Sequence, residues 1–289
     1  MGFILSLIVA FLISLRAVFE KKALEQIDEF ILTFGLRFFA GIIIISVMFF
    51  FGVERSVEEG FLPLVVIGAI ISTFATVFAL KGLKYGDLSL VSPIVTFTPL
   101  FLLITSPIII NEFPSFLGLV GVLLIVLGSY ILNISKLKIG YLEPIVSLFK
   151  NKGVRYMFLA SIVWSIGSNI DKLGVTASSP LIWSASINFL SAVMIFPFVL
   201  KRITLLNEKI SKKYLFMIPT IGIIAALSSV VQLYAIGLIL VIYVISLKRL
   251  SVIFQVFFGR FIFHEENFKE RFAGVIIMTV GAILIIVFS

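Results

Sequence analysis

The sequence predicts an all-α polytopic membrane protein, ten transmembrane helices arranged as two inverted five-helix repeats. Three observations predict it. Of 289 residues, 61% are hydrophobic and only 13% charged, at a mean hydropathy of +1.22, whereas soluble domains run near half apolar and a quarter charged. The apolar residues fall into ten runs, each close to the roughly 20 residues a helix needs to cross the hydrocarbon core. The two halves of the chain also match each other at polar and glycine positions, where chance agreement among Ile, Leu, Val and Phe is no explanation.

In the first half the runs are 3–21, 30–52, 61–83, 88–110 and 115–134; in the second they are 153–173, 180–200, 214–236, 239–263 and 271–288. The first lacks the basic start and small-residue cleavage site of a signal peptide and leads into Glu20-Lys21-Lys22, so it reads as a membrane helix. The fourth holds Pro93, Pro99 and Pro107. Each proline removes a helix hydrogen bond, which predicts a kinked helix able to act as a gate, with Pro93 and Pro99 as the gating positions. The fifth and tenth carry Gly121 and Gly128, and Gly274 and Gly281, each pair on one helix face, and read as close-packed scaffold. Between the eighth and ninth runs, Gly237-Leu238-Ile239-Leu240 gives almost no turn signal. The remainder is short loops and two basic linkers, 135–152 and 201–213, with no room for a soluble catalytic or nucleotide-binding domain. The chain therefore divides into a first repeat at 1–134, a linker at 135–152 and a second repeat at 153–289.

At an offset of 151, Ser14 falls on Ser165, Glu20 on Asp171, Lys21 on Lys172 and Phe38 on Phe189; at 153, Glu112 falls on Glu265, Gly121 on Gly274 and Gly128 on Gly281. Five helices is an odd number, so the second copy enters the membrane from the opposite side. Secondary transporters build a midplane site open to either face from repeats of this kind.

The net charge of +8 comes from 23 basic and 15 acidic residues. Sixteen of the 23 basic residues lie in the loops after the odd-numbered runs, against only Arg55 and Lys172 on the other side. That is the positive-inside pattern, so no nucleic-acid partner is expected. Anionic lipid headgroups are the expected partner of those loops, and both termini are predicted on the non-cytoplasmic side of the cell membrane. With no cysteine and a single histidine, His264, no disulfide, catalytic triad, metal site or cofactor is expected. His264-Glu265-Glu266 lacks the second histidine of a zinc helix, and no glycine loop for ATP is present.

Five basic residues lie inside the runs: Arg16, Arg37, Lys248, Arg249 and Arg260; all 15 acidic residues are read at or beyond run ends. A charge at the bilayer centre costs at least about 2.5–3.5 kcal/mol, which makes each a functional candidate. Arg16 precedes Glu20 by four residues, so a helical ion pair competes with a ligand role. Arg260 is within reach of Glu265 or Glu266 and reads as structural. Arg37 lies about 6 Å from the middle of its run. Lys248 and Arg249 lie within about 5 Å of the middle of theirs, too deep to snorkel, and point to an anion that comes and goes. Trp164 and Asn169 in the sixth run, Asn188 in the seventh, and Gln232 and Tyr234 in the eighth are candidates to shape the pocket; the alternative is hydrogen bonding between helices. Trp183 reads as an interface marker.

The stretch from Leu83 through Tyr85-Gly86-Asp87 to Ser92-Pro93, then Asn111-Glu112 with Gly121 and Gly128, resembles the EamA-like branch of the drug/metabolite transporter superfamily. Leu247-Lys248-Arg249-Leu250-Ser251, Gly259-Arg260, Glu265, Gly274 and Gly281 repeat those motifs in the second half, and Arg37 sits where the family often has an arginine. The resemblance implies a basket in which helices one to four and six to nine surround a cavity while five and ten act as scaffold. Family members move amino acids, metabolites, sugar phosphates, nucleotide sugars or drugs, and are commonly drawn with cytoplasmic termini, the reverse of the charge count here. The resulting expectation is a secondary transporter or facilitator of a small organic solute, an anionic or zwitterionic metabolite such as an amino acid or a phosphorylated or carboxylated compound, working as monomer or homodimer. Lys248 or Arg249 would hold the anionic group, helped by Arg37 and Arg16. Without a buried carboxylate, exchange or facilitated flux fits better than proton antiport. The rivals are an exporter of cationic drugs and, less favoured, an intramembrane lipid-modifying enzyme.

Overall fold

In lipid the backbone has no polar partner except itself, so a membrane chain without a closed barrel must fold as helices. A computed structural model describes residues 1–24, 26–53, 56–86, 88–135, 142–203, 212–254 and 272–288. Its first half forms α1 (Gly2–Ala23), α2 (Glu29–Phe50), α3 (Phe61–Tyr85), α4 (Leu88–Val95), α5 (Thr98–Ile110) and α6 (Phe116–Ser135). After α7 (Glu143–Lys150) come α8 (Lys152–Thr176), α9 (Pro180–Ile203), α10 (Lys212–Leu238), α11 (Val241–Lys248) and α12 (Phe272–Phe288). The chain is a multi-pass membrane protein of ten helical crossings, with α4 and α5 sharing one crossing.

Local chemistry sets several helix ends. Asp28 accepts from Phe30 N–H at 2.9 Å and so caps α2. Asn151 does the same for α8 with Gly153 and Val154. Asn111, at φ 54°, terminates α5 in the left-handed region, which asparagine tolerates better than most residues.

The fourth crossing is broken, as its prolines predict. Thr96 and Phe97 turn back by short bonds to the carbonyls of Pro93 and Ile94, and Pro99 sits in the first turn of the restarted helix, where its missing N–H costs nothing. The ninth crossing breaks at the equivalent place without any proline. After α11, Arg249 and Leu250 bond to the carbonyls of Ser246 and Leu247, and helix resumes at residues 251–254. At the offset of 153, α11 overlays α4, and Lys248-Arg249 stands where the first repeat has Val95-Thr96.

Each helix of the first repeat packs chiefly on the second: α1 on α10, α3 on α8, α2 on α9 and α6 on α12. The α6–α12 pair shows the inversion directly. A Cβ on Gly121 would lie 2.7 Å from the Gly281 carbonyl oxygen, and one on Gly128 would lie 2.7 Å from that of Gly274. Moving up one helix is moving down the other, so the two repeats run in opposite directions. Beneath this scaffold lies an apolar core that includes Leu102, Ile125, Trp183, Ile236 and Ile242.

Two features differ from the sequence reading. The linker 135–152 contains α7, whose Leu148 packs against the cluster of Val91, Ile94, Val154 and Met157; its exposed Leu142, Ile145 and Val146 alternate with polar residues too briefly to register as a crossing. The second linker shortens because α9 runs on to Ile203 and α10 starts at Lys212. Arg55, Asp87, Gly259, Arg260, His264, Glu265 and Glu266 lie outside the described residues.

Candidate functional site

The break in the ninth crossing ends α11, whose last turn holds Lys248 and whose C-cap is Arg249. Positive side chains at a helix C-terminus meet the negative end of the helix dipole. Lys248 donates to Gln232 Oε1 on α10 at 2.8 Å. Arg249 Nε is buried and has no hydrogen-bond partner among the described residues. A buried donor on a charged group that finds no partner is costly.

Helix α1 packs on both α10 and α11 and brings Arg16 to this end of the cluster. Arg16 Nε lies 3.1 Å from Glu20 Oε1 on its own helix, so the i,i+4 pair foreseen in the sequence is present. Arg16 also lies within electrostatic range of both Arg37 and Lys248, so pairing with Glu20 does not remove it from the interior.

Arg37 is bound on several sides. It donates to Asn188 Oδ1 on α9 at 3.2 Å, and to Ser72 Oγ and Thr76 Oγ1 on α3 at 2.7 and 3.1 Å. Asn188 is committed as well, donating to the Ser184 carbonyl at 2.8 Å. These groups tie α2, α3 and α9 together. Asn169 has the same character: it accepts from Ser106 at 2.7 Å and donates to Thr105 at 3.0 Å, joining α8 to α5. Trp164 packs against the apolar cluster that includes Ala79, Val91, Ile94 and Ala160. Of the nine residues named as substrate-binding, the structure joins Lys248 to Gln232 by a hydrogen bond, with Arg249 next to Lys248 in the chain and Arg16 on α1, which packs against α10 and α11.

Tyr234 requires correction. It is 42% exposed and shares a helix face with the exposed Phe216, Ile223, Leu227 and Leu238, so it faces outward with the lipid-directed stripe. Its position next to Gln232 in sequence misled, because two residues along a helix is about 200° around it.

The reading that all acidic residues stand at or beyond run ends is corrected at Asp171, which is half-buried within a helix. Helix α8 continues to Thr176, leaving Asp171 within it, and Trp183 Nε1 donates to Asp171 Oδ1 at 2.8 Å. Trp183 itself is 0% exposed and packs on Gly174; it belongs to the core, not the interface. Asp171 lies within electrostatic range of Lys248 and Arg37. Its match to Glu20 across the repeats was the available signal.

Lys172, next along, turns to the face opposite the basic loops. It lies 3.2 Å from Glu112 Oε1 and donates to the carbonyls of Ile236 and Ile239 at 2.6 and 3.3 Å. Glu112 Oε2 accepts from Val241 N–H at 2.8 Å. The ends of α5, α8, α10 and α11 are thereby pinned together above Lys248. Among the described residues, no group of three or more His, Cys, Asp or Glu is placed to hold a metal.

Such a constellation, cations at broken helices inside an inverted-repeat membrane fold, is the architecture of a membrane transporter. The sequence profile of the EamA-like transporter family matches residues 1–134, so the first half of the chain is similar to that family of transporters. No curated protein matches the chain significantly. One crystal structure superposes at a TM-score of 0.77, covering 98% of this chain and 96% of its own at 14% identity. It shares the fold through the second half as well, beyond the reach of the profile match.

Proposed function

We propose that the protein is a secondary transporter or facilitator that moves a small anionic or zwitterionic organic solute by alternating access. The observation that carries this reading is Arg249, whose buried Nε has no hydrogen-bond partner among the described residues, beside Lys248 at the helix break that ends α11. The anionic group of the solute binds Lys248 and Arg249, with Arg16 adding charge. Asn188, Asn169 and Arg37 hold the surrounding helices in place. Pro93 and Pro99 let the fourth crossing bend, and the Lys172–Glu112 pair closes the face opposite the basic loops. By the positive-inside rule, the basic face is cytoplasmic and both termini lie outside.

Asp171 supplies a negative pole in the same interior. It favours a zwitterion over a simple anion, and it is the one feature that supports the rival reading of a cation exporter. The test is thermal stability of the purified protein in detergent with amino acids, organic acids, sugar phosphates, nucleotide sugars and cationic drugs. A ligand at 100 times its Kd stabilises by about 2.7 kcal/mol. Stabilisation by an anionic or zwitterionic solute that is lost in Lys248→Met and Arg249→Met is the expected result. Stabilisation by cations alone, unchanged in both variants, would overturn the reading.

A further inference from the structure

Helix α7 is no part of the repeat plan. Across the two offsets α6 matches α12 and α8 matches α1, so α7, between them, belongs to neither copy. A connector running through water needs no apolar residues, yet α7 turns three outward: Leu142 is 68% exposed, Ile145 38% and Val146 42%. The N–H groups of Ile145 and Val146 both donate to the Leu142 carbonyl, at 3.0 and 2.9 Å. Leu142 therefore opens the first turn, and the three side chains share one face. Glu143 and Lys150, both exposed and seven positions apart, share a second face about 100° around the helix. Leu148, about 110° the other way, packs against the cluster that includes Val91, Val154 and Met157. One face thus meets the bundle, one is polar, and the apolar third stays open among the described residues.

The level of α7 in the membrane decides what lies against that third face. The outward residues of α8 run from the exposed Lys152 and Arg155 to the exposed Leu159, so the boundary between headgroups and acyl chains crosses its first two turns. Asn151, extended at φ −101° and ψ 121°, separates α7 from α8 and turns the chain back. Were the two helices continuous, Leu148 would stand about 9 Å above Val154. Instead α7 packs on both α4 and α8, with Leu148 against the cluster that Val154 and Met157 help to form. That sets α7 level with the turns of α8 where Arg155 gives way to Leu159. Glu143 in the first turn and Lys150 in the last suit the helix dipole. An amphipathic helix at this level beds its apolar face about 5–10 Å into the headgroup–acyl boundary.

We infer that α7 is an interfacial anchor: its Leu142–Ile145–Val146 face docks on the lipid surface of the leaflet at the basic face, with Glu143 and Lys150 toward water. The inference does not depend on what the central site transports.

The chain has no cysteine, so a single introduced cysteine carries the only nitroxide label. Electron paramagnetic resonance of the full chain in liposomes of phosphatidylcholine and phosphatidylglycerol tests the inference, with oxygen as the apolar relaxant and a nickel chelate, on both sides of the membrane, as the polar one. Labels on Ile145→Cys and Val146→Cys should report a depth of about 5–10 Å and relax more with oxygen than with nickel, as should the lipid-facing reference Leu159→Cys. Labels on Glu143→Cys and Lys150→Cys should relax more with nickel. If either apolar-face variant folds poorly, Leu142→Cys repeats the measurement. The inference is overturned if labels at 145 and 146 meet nickel as freely as those at 143 and 150, which would put the face in water. It is overturned as well if those labels are shielded from both reagents, or if they broaden one another across a second copy of the chain, because either result would make the face a protein interface.

Discussion

Removing the ammonium of Lys172 tests the closure of the face opposite the basic loops. Lys172 makes three contacts: Glu112 at 3.2 Å and the carbonyls of Ile236 and Ile239 at 2.6 and 3.3 Å. The pair is mostly buried, with side-chain exposures of 23% for Lys172 and 12% for Glu112. Breaking a fully buried pair costs about 3–5 kcal/mol and a surface pair about 0–1 kcal/mol, so Lys172→Met, which keeps the apolar stem, should cost about 2–3 kcal/mol. Glu112→Gln keeps an acceptor for Val241 N–H and should cost less, about 1–2 kcal/mol. In a double-mutant cycle read by thermal unfolding in detergent, the two changes should couple by at least about 1 kcal/mol, roughly 2 °C of Tm. In liposomes both variants should pass the transported solute faster than wild type. Costs that simply add, within about 0.5 kcal/mol, together with unchanged flux, would falsify the reasoning.

Other expectations follow from the packing and the charges. Gly128→Ala places a Cβ 2.7 Å from the Gly274 carbonyl oxygen and 2.8 Å from Met278 N, backbone atoms that cannot step aside, and should lower Tm by the equivalent of about 1–3 kcal/mol. Gly237→Ala, whose nearest neighbour is Val175 at 3.5 Å, should hold or raise Tm through up to about 1 kcal/mol of helix propensity. Trp183→Phe loses the bond to Asp171 and should cost at least about 1.5–3 kcal/mol in the same melting assay. Asp171→Asn keeps an acceptor for Trp183, should melt close to wild type, and should bind anionic solutes more tightly by removing the nearby negative charge. On the basic face, the hydrogen bond from Lys84 to Glu29 holds the Lys84 ammonium above its ordinary pKa of 10.5. Its stabilisation is therefore complete at lower pH and lost as pH rises through the raised value; Lys84→Gln should remove part of the alkaline fall in Tm and leave neutral behaviour little changed.

The crossings, the inversion and the scaffold pair were legible because hydrophobic length, odd helix count and glycine spacing act directly on the backbone. Gly121, Gly128, Gly274 and Gly281 meet as their sevenfold spacing suggested. The proline break was legible for the same reason, whereas the break at Arg249 carried no proline and appeared in the sequence only as two cations too deep to snorkel. Side-chain pairing across helices was not legible. Nothing along the chain says that Arg37 spends its donors on Ser72, Thr76 and Asn188, because those partners lie 35 or more positions away. Asp171 was misread by a matter of helix length: a run ending at 173 leaves it at the surface, and a helix reaching Thr176 does not.

The two repeats share one backbone plan and differ in what stands at the break. In the second repeat it carries Lys248 and Arg249; in the first it carries Val95 and Thr96, with Pro93 and Pro99 on either side. If the anionic group of the solute is held by the charged break, it stays with the second repeat while access alternates. The larger change must then fall on the fourth crossing, whose prolines have already removed the hydrogen bonds that would resist it. Hydrogen exchange in detergent, with and without a stabilising solute, should show the amides of residues 94–101 changing protection, while those of 246–250 become protected and stay so. Equal protection at both breaks, or a change confined to 246–250, would mean that the charged half moves and the proline-flanked half is the anchor.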